Sequence, residues 1–294
     1  MSMVAYSKEK LAEIESLFDK VIKYPSIDYP EKSAKYINFP ADVFFQSKYD
    51  GSNVTVWVYD GEIIVSSRRK AIADITLFQG TLTTLGEYTD LNKLKEFLAE
   101  DNIVLYCELF GRKNTPAGYH KDYPKPLDIV VFDIGRMEDG MFVDPDTAIL
   151  LSHEIGLNFV DTKKHRVNNF EELINYATRY SKYEGCVIKI YTEKYRKGAL
   201  MMKWKPQELA TKSDELPFSE VCGVIAKAIQ DQIITPDMKD KQIFRILRQL
   251  INDEARKHRL KPPSTKNLIY RAYSIVRSRI LNPATIEKIV KSQH

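Results

Sequence analysis

Residues 48–51 read Lys48-Tyr49-Asp50-Gly51, and this stretch decides how the rest of the chain is interpreted. A lysine two residues before Asp-Gly, within strand-like sequence, suggests a nucleophile that attacks a nucleotide phosphate. The same residues are compatible with an ordinary β-turn, in which Asp50 and Gly51 supply the turn and Lys48 is solvated. The sequence downstream has to distinguish the two interpretations.

The composition is that of an ordinary globular protein, with 44% hydrophobic and 29% charged residues among 294. The three cysteines are widely spaced, which argues against a disulfide framework or a zinc site, and the histidines lack metal-binding spacing. No apolar run approaches the roughly 18–20 residues that cross a membrane. The N-terminus has no signal-like apolar core. We therefore expect a cytoplasmic, monomeric protein without membrane contact.

Positive charge is concentrated towards the C-terminus. The formal net charge is +4, yet residues 256–294 contain ten lysines and arginines and a single acid, Glu287. A basic segment of this density predicts a polyanionic partner. The alternative is a solvated helix surface that binds nothing specific.

The pattern of secondary structure changes near residue 206. Before it, the sequence predicts helices at 7–23, 90–100, 145–156 and 169–181, strands at 54–59, 62–67, 103–110, 128–134, 186–191 and 200–204, and hairpins at Asp60-Gly61 and Asp139-Gly140. After it, residues 217–230, 236–257 and 264–281 have helical periodicity. We therefore predict an α+β domain with antiparallel sheets at 1–206 and a basic, all-helical domain at 207–294.

Five further segments follow Lys48 in a fixed order. They are Ser66-Ser67-Arg68-Arg69, Glu108-Leu109-Phe110-Gly111, the strand from Asp128 to Ile134, Glu184-Gly185-Cys186-Val187-Ile188-Lys189, and Met201-Met202-Lys203-Trp204-Lys205. Taken singly, their charged residues are most simply solvent-facing positions on strands, and Phe132 is as easily a core residue. The order of the whole set is what indicates chemistry.

This ordered set resembles the covalent nucleotidyltransferase superfamily of ATP-dependent ligases and mRNA capping enzymes. The motifs of that superfamily read KxDG, an arginine segment, ExxG, a hydrophobic strand near FD, EGxVIK and KxK. The resemblance implies a nucleotidyltransferase (ATP-grasp-like) domain in which AMP becomes attached to Lys48. It also implies catalytic Lys203 and Lys205, nucleotide-binding Arg68, Glu108, Phe132, Lys189, Asp50 and Gly51, and metal-binding Glu184. The stacking aromatic of the family falls nearer Ile129 or Val130, which are aliphatic here, so the residue that stacks on adenine stays open.

The residue types suit this chemistry on physical grounds. A lysine attacks phosphorus only as the free amine, and nearby cations or a metal ion lower its pKa. The same cations would neutralise charge on the α-phosphate and on the leaving pyrophosphate. Glu184 is suited to hold Mg²⁺, or Mn²⁺ in its place, through oxygen. Glu108 would accept hydrogen bonds from ribose hydroxyls, and Arg68 would donate to sugar or phosphate.

The C-terminal third favours one branch of the superfamily. DNA ligases and capping enzymes typically continue with a β-rich OB domain, whereas the sequence after Lys205 is helical. Together with Asn53, this resembles the RNA ligase 2 family, and residues 1–30, which precede the usual start of that family, stay unassigned. The resemblance implies that Asn53 engages the 5′-phosphate end and that the basic helices, including Arg271 and Arg277, bind RNA.

The predicted activity is an ATP-dependent RNA ligase that seals nicked or bridged RNA. It would proceed through lysyl-AMP and RNA-adenylate intermediates to join 3′-hydroxyl and 5′-phosphate ends. Two alternatives stay open at this point. One is an ATP-dependent DNA ligase, and the other is a non-catalytic RNA-binding module that keeps the nucleotide-binding fold.

Overall fold

The computed structural model describes residues 6–192, 194–206, 215–235, 237–263 and 266–280. Its helices are α1 (Lys8–Leu17, continued by a π turn at Phe18–Ile22), α2 (Pro30–Ser33), α3 (Ile75–Leu85), α4 (Leu91–Glu100), α5 (Pro145–Glu154), α6 (Phe170–Arg179), α7 (Phe218–Gln230), α8 (Asp240–Lys257) and α9 (Lys266–Ile280). Its strands are β1 (Ala41–Lys48), β2 (Gly51–Tyr59), β3 (Glu62–Ser67), β4 (Ile103–Phe110), β5 (Asp128–Arg136), β6 (Thr162–Val167), β7 (Gly185–Tyr191) and β8 (Ala199–Trp204). No helix within these ranges is long and apolar enough to cross a membrane.

The first sheet has the strand order β6-β1-β7-β8, and all its neighbours are antiparallel. Successive side chains of β1 point to opposite faces of the sheet, as in any β-strand. Val43 and Phe45 join a hydrophobic core with Leu173 and Ala177 of α6. Phe44, Gln46 and Lys48, which alternate with them, therefore belong to the opposite face.

The second sheet has the order β3-β2-β4-β5 and is also antiparallel. Asp60 and Gly61 join β2 to β3 with φ values of 49° and 73°, the positive values that a tight hairpin of this type needs. Helices α3, α4 and α5 contribute to the core on this sheet. The helix α1, which the sequence left without a role, packs Ile14 and Phe18 against another cluster that includes Trp57.

The helices α7, α8 and α9 share a hydrophobic core of their own. Ile243, Leu247, Ile251 and Ala255 form its stripe along α8, at the spacing of one helical face. The α-helical prediction for this part of the chain is confirmed, as is the mixed α/β class with antiparallel sheets.

The sequence-based prediction differs from the structure in several elements, since helices α2 and α3 were not predicted. The hairpin expected around Asp139-Gly140 is a turn closed by a single bridge between Gly135 and Phe142, and no second strand is assigned there in the described chain. Strand β6 was missed because its sequence, Thr-Lys-Lys-His-Arg-Val, is strongly polar. It lies at the edge of the first sheet, where exposed charged side chains are tolerated.

Candidate active site

A cavity of about 510 Å³ is lined by residues from both sheets. Its lining includes Gln46, Lys48, Val187 and Lys203 from the first sheet and Gly51, Asn53, Glu108 and Phe132 from the second. Arg68, Glu184 and Lys205 also line it from positions just outside the strands. The structure therefore brings together most of the motif residues that are scattered over the sequence from 48 to 205.

Lys48 lies at the point where the chain passes from one sheet to the other. It is the last residue of β1, and Gly51 is the first residue of β2. A Cβ atom on Gly51 would lie 2.3 Å from the carbonyl oxygen of Leu109, so only glycine allows this pairing of β2 with β4. The Lys48 carbonyl accepts a hydrogen bond of 3.1 Å from the backbone N–H of Glu184. These backbone contacts fix the base of the lysine side chain at the cavity.

Lys48, Glu184 and Lys205 form a cluster of charges where three strands of the first sheet begin or end. Lys48 is the last residue of β1, Glu184 directly precedes β7, and Lys205 directly follows β8. Because β1, β7 and β8 are antiparallel neighbours, these three residues lie at the same end of the strands. The Glu184 carboxylate pairs with both ammonium groups. The exposed fractions of the Lys48, Glu184 and Lys205 side chains are 21%, 15% and 20%. Two ammonium groups converge on one carboxylate, and lysine side chains are common ligands of phosphate groups.

Glu108 faces the cavity from β4, directly opposite Asn53 of β2 in the sheet register. Burial raises the pKa of Glu108 to about 7, with Lys48 opposing the rise and Glu184 adding to it. A carboxyl group that sits partly protonated near neutral pH is unusual on a surface. Side chains with a pKa shifted in this way occur preferentially at functional sites.

We expect Glu108→Gln to stabilise the free protein increasingly as pH rises to neutrality. The unfolded carboxyl ionises near pH ~4.3, whereas the folded carboxyl keeps its proton up to about pH 7. Between these values the folded state binds more protons, so the free energy of unfolding of the wild type falls as pH rises. The advantage of the glutamine variant should grow across this window and level off at no more than about 4 kcal/mol. Urea unfolding at several pH values measures it, and a pH-independent difference would contradict the assignment.

Asp50 is buried and holds the loop that follows β4. Its carboxylate accepts hydrogen bonds from the Thr115 hydroxyl at 2.6 Å and from the backbone N–H groups of Ala117 at 3.0 Å and Tyr119 at 3.1 Å. Burial favours the neutral acid, but these hydrogen bonds outweigh it and hold the pKa of Asp50 below its usual range. Because Pro116 and Ala117 also line the cavity, Asp50 shapes the wall as well as the turn.

Lys189 lies beneath the cavity rather than on its wall, which corrects the expectation that it touches the nucleotide. Its side chain is 0% exposed, and its Nζ lies 2.6 Å from Asp133 Oδ2. The same ammonium group donates to the backbone carbonyl of Phe132 at 2.9 Å. Lys189 therefore holds the strand that carries Phe132, whose ring faces the cavity.

Sequence reasoning missed Gln46, which lies two residues before Lys48 on the same face of β1. The residue is 1% exposed and lines the cavity. Its side-chain Nε2 is buried and makes no hydrogen bond within the part of the chain that the structure describes. The alternation of β1 was the available signal, because it places every second residue before Lys48 on the lysine's side of the sheet.

The segment at 24–27, which has no counterpart among the motifs, completes the wall of the cavity. Tyr24, Pro25 and Ile27 line it. The Tyr24 hydroxyl donates to Asp133 Oδ2 at 2.6 Å, and Arg68 Nη2 donates to the Ser26 hydroxyl at 3.3 Å. Part of the N-terminal stretch that the sequence left unassigned is thus built into the site.

Arg271 is buried, which corrects the expectation that it faces RNA. It is 6% exposed, and its Nε donates to Glu31 Oε1 at 3.3 Å. Its guanidinium lies 4.2 Å from the ring centre of Tyr29 and 5.1 Å from that of Trp204. Arg271 therefore fastens α9 to the first sheet. Arg277, by contrast, is exposed and lies apart from the cavity.

The chain belongs to the RNA ligase family, since the family model described as RNA ligase matches residues 41–205, more than half of its length. No curated protein gives a significant match. Among solved structures, it is similar to a mutant Naegleria gruberi RNA ligase with ATP and Mn, with 18% identity and a TM-score of 0.50. A second mutant of that ligase, with AMP and Mn, gives 19% identity and a TM-score of 0.51. In both cases 63% of this chain matches 56% of the other, so the chain spans just over half of those structures, and the likeness concerns the fold.

Proposed function

We propose that this chain is an ATP-dependent RNA ligase that joins a 3′-hydroxyl RNA end to a 5′-phosphate RNA end. The observation that carries the proposal is the Lys48 amine, held in the cavity against Glu184 and beside a second lysine, Lys205. Membership of the RNA ligase family supports it. The Naegleria gruberi structures of similar fold hold ATP or AMP, which supports ATP as the nucleotide.

In the first step, the neutral Lys48 amine attacks the α-phosphorus of ATP. A phosphorus–nitrogen bond forms, the bond from the α-phosphorus to the bridging oxygen breaks, and pyrophosphate leaves while the amine loses a proton. Lys203 and Lys205 line the same cavity and stabilise negative charge on the transferred and leaving groups. The cavity holds the Lys48 amine and the bound ATP in a reactive orientation. Such orientation accounts for much of the rate enhancement of enzymes that join two groups.

The nucleotide is bound between the two sheets. Phe132 of the second sheet and Val187 of the first both line the cavity, and a flat purine fits between an aromatic and an aliphatic side chain. Glu108 accepts from the ribose hydroxyls, and Arg68 donates to sugar or phosphate. Asp50 and Gly51 act indirectly, through the turn and the loop that they hold.

The carboxylates of the cavity fit a hard divalent ion. Mg²⁺ usually binds through one or two carboxylates together with substrate phosphates. Glu184 and Glu108 supply two such groups, although no cluster of three potential metal ligands occurs within the described ranges. Glu184 would hold Mg²⁺ or Mn²⁺, which supplies positive charge that favours the free amine and neutralises phosphate oxygens.

The next two steps use the RNA ends. An oxygen of the 5′-phosphate attacks the phosphorus of lysyl-AMP, the phosphorus–nitrogen bond breaks, and Lys48 regains its proton. The 3′-hydroxyl then attacks the phosphorus of the 5′-phosphate and loses its proton, the anhydride bond to AMP breaks, and AMP leaves as the phosphodiester forms. Asn53 lies beside Glu108 in the register and lines the cavity, where its side-chain N–H group is a donor for a phosphate oxygen. Its amide is the group that we assign to the 5′-phosphate end.

A basic groove on the helical part of the chain would hold the RNA backbone. It has a volume of about 760 Å³ and is lined by Arg245, Arg248, Gln249, Asn252, Asp253, Arg256 and Lys266, among others. On α8 these residues fall on the face opposite the hydrophobic stripe. Hydrogen-bond donors with a net positive charge match phosphate oxygens. We propose that residues 207–294 form this RNA-binding domain and that residues 1–206 form the catalytic domain.

Replacing Arg245 and Arg248 together by alanine is expected to weaken RNA binding and to make it less sensitive to salt. Each lost phosphate contact lowers the slope of log affinity against log salt concentration by about 0.7 to 0.9. The double variant should therefore lose about 1 to 2 in slope, while labelling by ATP continues. Alanine at the exposed Lys93 and Lys121 of the catalytic domain is the matched control. Equal slopes for all three proteins would contradict this role of the groove.

The proposal as a whole is tested by incubating the protein with α-labelled ATP and Mg²⁺ or Mn²⁺. We expect a covalent label that added pyrophosphate removes. Sealing rates on matched RNA and DNA nicks then identify the substrate, and a preference for the all-DNA nick would indicate a DNA ligase. RNA binding without any label, under varied metal and pH, would indicate a non-catalytic module and would overturn the proposal.

A further inference from the structure

We propose that Tyr29 positions the Lys203 side chain in the cavity and that Arg271 of α9 holds the Tyr29 ring in place. The Lys203 ammonium group lies 5.0 Å from the centre of the Tyr29 ring, within the range of a cation–π contact. The inference rests on the role that the proposed function gives to Lys203. Tyr29 acts through that lysine and is therefore a positioning residue.

The backbone of Lys203 is fixed by the segment that carries Tyr29. The Lys203 N–H group donates a hydrogen bond of 2.8 Å to the carbonyl of Asp28, and Asp28 forms a parallel bridge with Met202 of β8, the edge strand of the first sheet. Met202 points into the core with α6, so the alternation of β8 turns Lys203 towards the cavity. Because a lysine has a long flexible stem, a fixed backbone alone does not set the place of its ammonium group. The Tyr29 ring supplies that second point of contact.

The Tyr29 ring is held in turn by Arg271. The Arg271 guanidinium lies 4.2 Å from the centre of the Tyr29 ring and 5.1 Å from that of Trp204. It pairs with Glu31, and the side chains of Arg271 and Glu31 are only 7% and 1% exposed. Breaking a buried ion pair of this kind is strongly destabilising, so Arg271 is a firmly held neighbour of the ring.

Tyr29 thus lies between a lysine of the cavity and an arginine of the helical part of the chain. Catalysis is sensitive to the position of a charged group, since a displacement of about 1 Å can slow a reaction about 10²-fold. Tyr29 and Arg271 are not among the residues that line the cavity. Changes at either residue should therefore affect the reaction through Lys203, which links the docking of α9 to the transfer of AMP.

The reactivity of Lys203 towards an amine-acylating reagent, measured by peptide mass spectrometry on the complete protein, tests the position of its side chain. We expect Tyr29→Leu to raise the modification rate of Lys203 about three- to thirtyfold, the factor that corresponds to one cation–π contact. Tyr29→Phe keeps the ring and should restore the wild-type rate. Lys189 is 0% exposed and should stay unmodified while the protein is folded. Tyr36→Leu, which removes an exposed ring 4.8 Å from the Lys35 ammonium group, is the matched control.

The rate of labelling by ATP tests the consequence for the reaction. Tyr29→Leu should slow labelling about tenfold when Lys203 is present and should slow it no further in Lys203→Ala protein, because the two changes remove the same contact. Arg271→Lys keeps a positive charge opposite Glu31 but lacks the flat guanidinium that stacks on Tyr29. It should raise the reactivity of Lys203 and slow labelling, in the same directions as Tyr29→Leu. Should Tyr29→Leu fail to fold, Arg271→Lys carries the same test.

The outcomes separate this inference from the proposed function. Unchanged reactivity of Lys203 in Tyr29→Leu would overturn the role of Tyr29 even if ATP labels the wild type. Raised reactivity would support that role even if no label forms, and the proposed function would then fail alone. A slowing by Tyr29→Leu that persists in full in Lys203→Ala would also overturn the inference. Wild-type behaviour of Arg271→Lys would overturn the part that we assign to α9.

Discussion

Lys48→Ala is expected to abolish covalent labelling by ATP, with a loss that reaches the detection limit. The reason is chemical, because alanine has no nitrogen to bond to the α-phosphorus. Lys205 shares the Glu184 carboxylate with Lys48 and is equally buried, so the charge cluster alone does not single out the nucleophile. Lys48 is distinguished by its place at the passage between the sheets, with its backbone fixed by Glu184 and Gly51.

Two companion variants make this prediction specific. Lys205→Ala keeps the proposed nucleophile and should still be labelled, but about 10²- to 10³-fold more slowly, as is typical when one stabilising group is removed. Lys48→Arg keeps the positive charge and should give no label, since guanidinium stays protonated. Mapping of the labelled peptide should place AMP on Lys48. A label on Lys205, or one that survives in Lys48→Ala, would contradict the assignment.

The order of motifs predicted which residues come together, but it did not predict how deeply each side chain is buried. Lys48, Glu108, Glu184, Lys203 and Lys205 line the cavity as the ordered set suggested. Lys189 belongs to the same set, yet it lies below the wall. The motif predicts the strand on which Lys189 lies and the face to which it points. How deeply its side chain is buried depends on its ion pair with Asp133 of the other sheet, which no local sequence pattern predicts.

Long-range packing also explains why the helical part was predicted only in outline. Helical periodicity identified α7, α8 and α9, because an amphipathic stripe is a local property. The count of basic residues did not show which of them face solvent. Arg271 is buried through Glu31 and Tyr29, which are about 240 residues away in sequence. The groove residues Arg245 and Arg248 lie before the basic run, so the count over residues 256–294 did not include them.

Lys189 of β7 and Asp133 of β5 form a buried ion pair. Lys189→Met should lower the free energy of unfolding by about 3 to 5 kcal/mol, because it leaves the Asp133 carboxylate buried without its cation. The side chains of Lys189 and Asp133 are 0% and 1% exposed, so water cannot replace the lost partner. The hydroxyls of Tyr24 and Tyr191 donate hydrogen bonds to the same carboxylate. They reduce the loss of stability but do not neutralise the negative charge.

Urea unfolding of a double-mutant cycle measures this effect. Asp133→Asn added to Lys189→Met removes the uncompensated charge and should recover much of the loss. Lys182→Met, which breaks an exposed pair with Asp161, is the matched control and should cost less than about 1 kcal/mol. Because Lys189 also holds the Phe132 carbonyl, folded Lys189→Met protein should bind AMP more weakly. If Lys189→Met lowers the free energy of unfolding no more than Lys182→Met does, the buried pair of Lys189 and Asp133 does not stabilise the fold as its geometry indicates.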